Sequence, residues 1–297
     1  MKISALITNY NTWPLTRRCA QALDHWSSED LVQILVVDDA SSGNPPVDLS
    51  EKVRVIHNEH NLGYVASVNV GFSQLSEDVV ILLDSDAYPL MDLAKPIAQI
   101  FAAAPNLGAL GFRLVGQDGC PTGSSQIEPN AFGLLLGQRM EALHGRWFKS
   151  LQSERLCLHS CGMAVRRSAF NDIGGFDEEF DFLDADTDFS MRLHTAGWQV
   201  HVNPTLVAFH EGGGSFQTTA TRVLRHHRNR WRLLAKHQRL PHPAFFKLGL
   251  AMRHLCEYGT LHIIGRWLIT ESAKLQDKIS GRRQLLREVW SGYGNEF

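Results

Sequence analysis

The chain has 297 residues, of which 44% are apolar and 20% charged, and its formal net charge is −2. This composition excludes disordered chains, collagen and coiled-coil arrays. The small net charge conceals an asymmetry, because residues 1–221 carry 14 Lys and Arg against 26 Asp and Glu, whereas residues 222–297 carry 15 against 5. We therefore predict two domains, an acidic body at 1–221 and a basic extension at 222–297.

The cysteines and the lengths of the apolar segments predict the cellular compartment of the protein. The five cysteines are scattered and odd in number, which predicts no disulfide framework and a reducing compartment. The apolar stretch at the N-terminus is too short for a signal peptide, and no apolar segment approaches the roughly 20 residues of a spanning helix. We expect a cytoplasmic protein whose contact with the inner face of a membrane, if made, is peripheral.

The first half of the chain alternates short apolar runs with helical patterns. Strands are predicted at Ile3–Thr8, Leu31–Val37, Val53–His57 and Val79–Leu83. Apolar residues at three- and four-residue spacing predict helices at Pro14–Trp26 and Gly63–Leu75. This alternation predicts an α/β fold with a mostly parallel central sheet flanked by helices.

The second half is less regular. Residues 113–157 contain many glycines and prolines and are predicted to form an irregular surface excursion. Beyond them, Cys161–Phe170 predicts a short strand leading into a helix, about Ala185–Ala196 a helix, and Val200–Val207 a strand. From Thr218 onward the pattern is helical and basic, which predicts a C-terminal helical extension.

Acidic residues directly follow two of the predicted strands. Asp38 and Asp39 follow the second strand, and Asp84 and Asp86 follow the fourth. Ligands bind at the carboxyl ends of parallel strands, and paired carboxylates there suit a divalent cation completed by substrate phosphates. Either pair alone is also typical of a turn cap, so it is their combination that favours one shared site.

A series of short motifs occurs in a fixed order along the chain. Those of the first half are Ala5–Asn11, Val36–Ser42, Asn58–Tyr64, Asn69–Gly71 and Leu82–Asp86. Those of the second half are Gly162–Phe170, Gly174–Glu178, Asp186–Asp188, Met191–Leu193, Ala196–Trp198 and Val207–His210. Across about residues 3–216 this series resembles the family 2 glycosyltransferases, most closely their rhamnosyltransferase-like branch. The resemblance implies the Rossmann-like GT-A fold and sugar transfer from a nucleoside diphosphate sugar.

The resemblance also implies roles for single residues. A divalent cation, Mn²⁺ or Mg²⁺, would be held by Asp86, Asp84 and His210. The donor nucleotide would be bound by Thr8, Asn9, Tyr10, Asp39, Gly63, Asn69, Asp84 and Ser85. Because Asp39 would accept a hydrogen bond from the imide N–H that uracil and thymine share, UDP- and dTDP-sugars are favoured.

The catalytic base is where this sequence departs from its relatives. They carry Glu-Asp at the start of a helix, whereas here Ala185 takes the Glu position and Asp186 is retained. Asp186 is then the base that accepts the proton of the acceptor hydroxyl, and Asp184 is a candidate to replace the missing carboxylate. No second carboxylate is placed as a nucleophile, so we expect inversion at the anomeric carbon.

A cluster of cysteine and histidine offers a competing interpretation. Cys157, His159 and Cys161 have the residue types of a zinc site. No second ligand pair lies at metal-site spacing, so core packing of the two thiols is favoured.

The basic extension and the missing Glu leave alternatives open. The extension would face pyrophosphate, contact anionic lipid or pack on the acidic body, whereas nucleic acid is excluded because the acidic body would repel it. The acceptor would be a hydroxyl of a saccharide or a lipid-linked compound, and the oligomeric state is open. Because Ala185 replaces the Glu of the family pattern, a second function remains an alternative: a catalytically impaired GT-A domain that binds nucleotide sugar or a partner protein. A sugar-nucleotide pyrophosphorylase is disfavoured because the chain lacks an N-terminal Gly-rich, basic loop.

Overall fold

The structure, a computed structural model, describes residues 1–26, 28–137, 155–211, 219–269 and 271–293. It divides into two compact units. The first comprises Met1–Glu128 with Glu154–Gly214, and the second comprises Pro129–Ser153 with Ser215–Phe297. The second unit thus includes a segment from the middle of the chain, which the charge asymmetry does not indicate.

The first unit is built from an eight-stranded sheet, a two-stranded sheet and helices. Its strands are β1 (Ile3–Asn9), β2 (Leu31–Asp38), β3 (Val53–His57), β4 (Val79–Asp84), β5 (Ala87–Pro89), β6 (Leu107–Val115), β7 (Ser125–Ile127), β8 (Leu156–Leu158), β9 (Gly162–Arg166) and β10 (Gln199–His210). Its described helices are α1 (Trp13–His25), α2 (Tyr64–Ser73), α3 (Ala94–Ala103), α5 (Arg167–Asp172) and α6 (Ala185–Thr195).

The large sheet is mixed, in the order β3-β2-β1-β4-β9-β6-β10-β5. β1 pairs in parallel with β2 and β4, β2 with β3, and β6 with β10. β9 runs antiparallel to both β4 and β6, and β5 runs antiparallel to β10. The predicted α/β sheet with flanking helices is confirmed, and β9 and β5 are its two reversed strands.

Close packing of α2 on the sheet depends on a glycine. β1 and β4 are buried along almost their whole length, as their continuous apolar runs predict. α2 approaches β1 at Gly71, where an added Cβ would come within 2.7 Å of Leu6 Cδ2. Any larger residue here would require the buried Leu6 side chain to shift, so Gly71 permits the close approach of α2 to the sheet.

The predicted excursion at 113–157 is more ordered than expected where the structure describes it. β6 extends to Val115, and β7 pairs with β8 in a small antiparallel sheet. Residues 138–154 of the excursion and the glycine run Gly212–Gly214 lie outside the described residues. The strand predicted at Val200–Val207 is β10, which continues to His210.

The second unit is helical over its described residues, as predicted for the C-terminal extension. It contains α4 (Ala131–Leu136), α7 (Thr219–Lys236), α8 (Pro243–Ile263), α9 (Gly265–Leu268) and α10 (Ser272–Glu288). Its apolar core comprises Ala131, Leu134, Trp231, Leu234, Leu240, Phe246, Leu250, Leu285, Val289 and Tyr293. Among the described helices of the chain, none has the length and apolar character needed to cross a bilayer.

Candidate active site

The carboxyl ends of three neighbouring strands bring the first predicted site residues together. The parallel register aligns Thr8 of β1 with Asp84 of β4, and Asn9 of β1 with Asp38 of β2. Since these strands are adjacent in the sheet, residues separated by up to 76 positions in the sequence share one edge.

Asp84, Asp86 and His210 meet at this edge. β10 pairs with β5 so that His210 lies opposite Ala87, and this places His210 Nε2 3.5 Å from Asp86 Oδ1. Ligand atoms of Asp84, Cys161 and His210 lie within 4.8 Å of one another. The sequence-predicted metal residues are therefore neighbours, and Cys161 joins them.

The buried Asp84 carboxylate lacks a hydrogen-bond partner for one of its two oxygens. Its Oδ1 atom is buried without a hydrogen-bond partner, and burial raises the pKa of Asp84 to about 7, with a further increase from the nearby charges of Asp86 and Asp186. A buried carboxylate oxygen without a partner is costly unless a cation or a proton satisfies it. Carboxylate oxygens and an imidazole are ligands of Mn²⁺ and Mg²⁺ sites, so the residues present fit a divalent cation.

Cys161 was not predicted to take part in this cluster. It precedes β9, which runs antiparallel to β4 and pairs Gly162 with Leu83, so Cys161 lies beside Asp84. Burial raises the pKa of the Cys161 thiol, and the charges of the neighbouring carboxylates raise it further. Cys157 and Cys161 are both buried, as core packing of the thiols predicts, and all five cysteines are free.

Asp186 occupies the start of α6 with its carboxylate held in place. Its Oδ2 accepts a hydrogen bond from Ser160 N at 3.2 Å and lies 3.3 Å from His159 Nδ1. Its Oδ1 accepts from Thr187 N at 2.8 Å. The side chain stays 17% exposed, so its carboxylate is partly open to solvent.

The other positions of the acidic stretch are buried. Ala185 is 1% exposed. Asp184 precedes α6 in the left-handed region with φ 65° and is 7% exposed. Asp188 forms an internal ion pair with Arg192 at 2.7 Å. Asp186 is the carboxylate of this stretch that remains accessible.

The Asn9 side chain is held by hydrogen bonds within the protein at this edge of the sheet. Its amide nitrogen donates to Asp38 Oδ1 at 2.6 Å and Ser41 Oγ at 3.0 Å, and its Oδ1 accepts from Thr16 Oγ1 at 2.7 Å. The next residue, Tyr10, is 52% exposed. Ser85 joins the same network, because its Oγ accepts from Thr12 Oγ1 at 3.0 Å.

Asp39 holds the loop that leads into α2. Its Oδ1 accepts from Asn58 Nδ2 at 2.9 Å and from Leu62 N at 2.8 Å, and its Oδ2 accepts from Gly63 N at 2.9 Å. Gly63 takes φ 88°, which favours glycine. All three contacts are to the chain's own loop, and Asp39 is 4% exposed.

Asn69 lies in a different set of contacts from the other predicted donor residues. Its Nδ2 donates to Phe176 O and Glu178 Oε1, and its Oδ1 accepts from Phe176 N, each at 2.9 Å. The side chain therefore ties α2 to the Gly174–Glu178 motif.

Sequence comparison identifies the family. Residues 4–174 match Glycosyl transferase family 2, and residues 150–274 match Glycosyl transferase family 21. The first match covers more than half of the chain. The chain belongs to glycosyl transferase family 2. It is a glycosyltransferase, which confirms the predicted family and enzyme class.

A relative of known name agrees with this assignment. The N-acetylglucosaminyl-diphospho-decaprenol L-rhamnosyltransferase of Mycobacterium tuberculosis is 27% identical over 262 residues, which cover 78% of this chain and 84% of the relative. This likeness confirms the rhamnosyltransferase-like branch predicted for the family 2 chain.

Solved structures share the fold. The mannosyltransferase PcManGT from Pyrobaculum calidifontis in complex with GDP-Man and Mn²⁺ superposes with a TM-score of 0.58 at 15% identity, covering 96% of this chain and 87% of that one. GalNAc-T7 with UDP, GalNAc and Mn²⁺ superposes with a TM-score of 0.57 at 14% identity, covering 79% and 48%. The family 2 enzyme has the GT-A fold predicted from its motifs.

Proposed function

We propose that this glycosyltransferase is cation-dependent and inverting, and that it transfers a sugar from a UDP- or dTDP-sugar to a hydroxyl of a saccharide or lipid-linked acceptor. The observation that carries the proposal is the buried, unpartnered oxygen of Asp84 beside His210 and Asp86. Asp186 lies near enough for its charge to raise the pKa of Asp84, so a candidate base accompanies the candidate cation site.

Asp84, Asp86 and His210 would hold the cation. When bound, it supplies positive charge that stabilises the leaving nucleoside diphosphate. The imidazole of His210 favours Mn²⁺ over Mg²⁺, and two structures that share the fold carry Mn²⁺.

Asp186 would act as the base. The acceptor oxygen attacks the anomeric carbon as the bond from that carbon to the diphosphate oxygen breaks, and the hydroxyl proton passes to the Asp186 carboxylate. The hydrogen bond from Ser160 N orients this carboxylate. One displacement without a covalent enzyme intermediate inverts the anomeric configuration.

Donor binding would use the loops at the ends of β1 and β2. The exposed Tyr10 ring would pack on the base or ribose, and the Asp39 carboxylate would accept the imide N–H of uracil or thymine. Thr8, Asn9, Gly63 and Ser85 would shape this pocket. Asn69 would support it from α2 through its contacts with Phe176.

The acceptor proposal rests on relatives and charge. The M. tuberculosis relative is named for a diphospho-decaprenol compound, which supports a lipid-linked acceptor here. The excess of Lys and Arg in residues 222–297 supports peripheral contact with an anionic membrane, on its cytoplasmic side.

The second candidate is a nucleotide-sugar-binding domain with impaired catalysis. It is favoured by one observation, the buried Ala185 at the position where the family resemblance implies Glu.

A transfer assay separates the two candidates. Wild-type protein with UDP- and dTDP-sugars and Mn²⁺ is expected to turn over, whereas Asp186→Asn should lose about a hundredfold or more of kcat. Asp186→Asn should still show a thermal shift with the nucleoside diphosphate, and the exposed Asp118→Asn serves as the matched control. Nucleotide binding by wild type without turnover on any donor and acceptor would favour the impaired domain.

A further inference from the structure

The outer face of α8 is apolar and exposed. We call its residues the α8 stripe: Phe245, Leu248, Met252, Leu255 and Ile263, exposed at 61, 51, 61, 61 and 78% respectively. Their spacing of three, four, three and eight residues places them on one side of the helix. At 1.5 Å per residue the stripe is about 27 Å long.

The opposite face of α8 accounts for the position of the helix in the second unit. Phe246, Leu250 and His254 are buried there at 3, 0 and 0% exposure. Glu257, the acidic residue of α8, is engaged by Arg253 at 2.9 Å and by Arg282. Among the described residues of the second unit, the core therefore covers the face of α8 opposite the stripe and leaves the stripe exposed.

The composition of the stripe is unlike that of a helix face adapted to water. No exposed residue of α8 is Asp, Glu, Lys or Arg, whereas a water-facing helical surface normally carries charged residues. Two further large apolar residues directly after the helix are exposed, Trp267 of α9 at 87% and Ile264 at 43%. Large contiguous apolar surfaces mark interaction sites.

The positive charge of residues 222–297 indicates what kind of partner the stripe binds. Residues 222–297 carry 15 Lys and Arg against 5 Asp and Glu. An apolar stripe with an exposed tryptophan, on a basic unit, has the properties of helices that lie in the interface of anionic bilayers. A second copy of the chain would bring the same positive charge against this unit, which disfavours self-association.

We propose that the α8 stripe is a docking surface for an anionic lipid bilayer, with α8 parallel to the membrane plane and the stripe and Trp267 in the headgroup region. Docking itself requires no catalysis. Its consequence, access to a lipid-linked acceptor, rests on the proposed function.

Vesicle binding tests the proposal. The full chain is mixed with vesicles of phosphatidylcholine, with or without one third phosphatidylglycerol, and separated by flotation. Wild type is expected to float with the anionic vesicles, to bind the neutral ones at least about tenfold more weakly, and to show a blue shift of tryptophan fluorescence on binding.

Matched variants identify the surface. Leu248→Glu/Leu255→Glu should lower binding to the anionic vesicles at least about tenfold, because glutamate is repelled by the headgroups and removes apolar contact. The control Val32→Glu/Val47→Glu adds the same charge at exposed apolar residues of the first unit and should bind like wild type. Circular dichroism and thermal melting of each variant establish that it is folded.

Three results would overturn docking: wild type that stays unbound, a folded stripe variant that binds like wild type, or a concentration-dependent dimer that the stripe variant alone abolishes. Sugar transfer to a soluble acceptor is measured in parallel. Transfer without vesicle binding overturns the docking surface alone, whereas vesicle binding without transfer overturns the proposed function alone.

Discussion

Asp84 couples the stability of the metal-free protein to pH. Burial raises its pKa to about 7 from the ordinary value of 3.8, so between these values the folded state keeps a proton that the unfolded state releases. Stability is then greatest below about pH 4 for this group and falls as pH rises towards 7, by up to about 1.4 kcal/mol per pH unit.

We expect Asp84→Asn to flatten this dependence. The loss of unfolding free energy between pH 5 and pH 8, measured by urea denaturation with chelator present, should shrink by about 1–3 kcal/mol. Asp118→Asn, which removes an exposed carboxylate, should keep the wild-type slope. An unchanged slope in Asp84→Asn would show that this carboxyl group is already ionised at pH 5.

His210 offers a test of the cation site that does not depend on turnover. His210→Ala should weaken Mn²⁺ affinity at least about tenfold in calorimetric titration, because it removes a ligand. His201→Ala is the matched control, since His201 is an exposed histidine of the same strand, β10. Equal affinities of the two variants would exclude His210 as a ligand.

Some of the candidate site residues could be predicted from the sequence. The acidic pair after the fourth predicted strand belongs to the candidate cation site, since the end of that strand is visible in the apolar pattern. The pair after the second strand, Asp38 and Asp39, is instead engaged in hydrogen bonds within the protein. The role of Cys161 was not readable, because its neighbour Asp84 lies on a strand 77 positions earlier. Nor does sequence show that the Asn69 amide is engaged by Phe176.

At the scale of elements, the contact between α2 and β1 is expected to contribute to the free energy of unfolding. Gly71→Ala should lower the free energy of unfolding by about 1–3 kcal/mol, because the added Cβ overlaps the buried Leu6 side chain. The measurement is chemical denaturation of the folded protein.

The chain offers a matched control for this substitution. Gly259 is also in a helix, α8, and an added Cβ there meets nothing within 4 Å, so Gly259→Ala should be neutral or stabilise by up to about 1 kcal/mol. Leu6→Val, which shortens the opposing side chain, should offset part of the Gly71→Ala loss. A Gly71→Ala variant as stable as wild type would mean that Leu6 moves aside without cost.

Elements were predicted best where one local pattern dominates. β1, β2 and β4 are mainly apolar runs and β3 is a short run rich in Val and Ile, and all four were predicted. β6 was not predicted because two glycines interrupt its apolar pattern. Close packing explains both: a Cβ at Gly108 would lie 2.9 Å from Trp198 Cβ, and one at Gly111 would lie 2.8 Å from Leu158 Cδ2. The reversed direction of β9 has no local signal, since it is set by the path of the preceding residues.

At the scale of the whole molecule, the proposed donor and cation residues all belong to the first unit. Nucleoside diphosphate with Mn²⁺ at about 100 times its Kd should stabilise the state that binds it by about 2.7 kcal/mol. Hydrogen exchange should therefore slow in β1, β2 and β4 and in the loops after them. Slowing confined to α7, α8 and α10 would contradict a site at the sheet edge.

The sequence by itself determined the alternation of buried strands and helices, the family and the acidic residues at strand ends. Each of these follows from short patterns of residues that are neighbours in the chain. Only the tertiary structure decided that Asp84, Cys161 and His210 are neighbours, since this depends on pairing between distant strands. It also decided which face of α8 is exposed. That helix carries apolar residues around much of its circumference, and among the described residues the core of the second unit covers the side that bears Phe246 and Leu250.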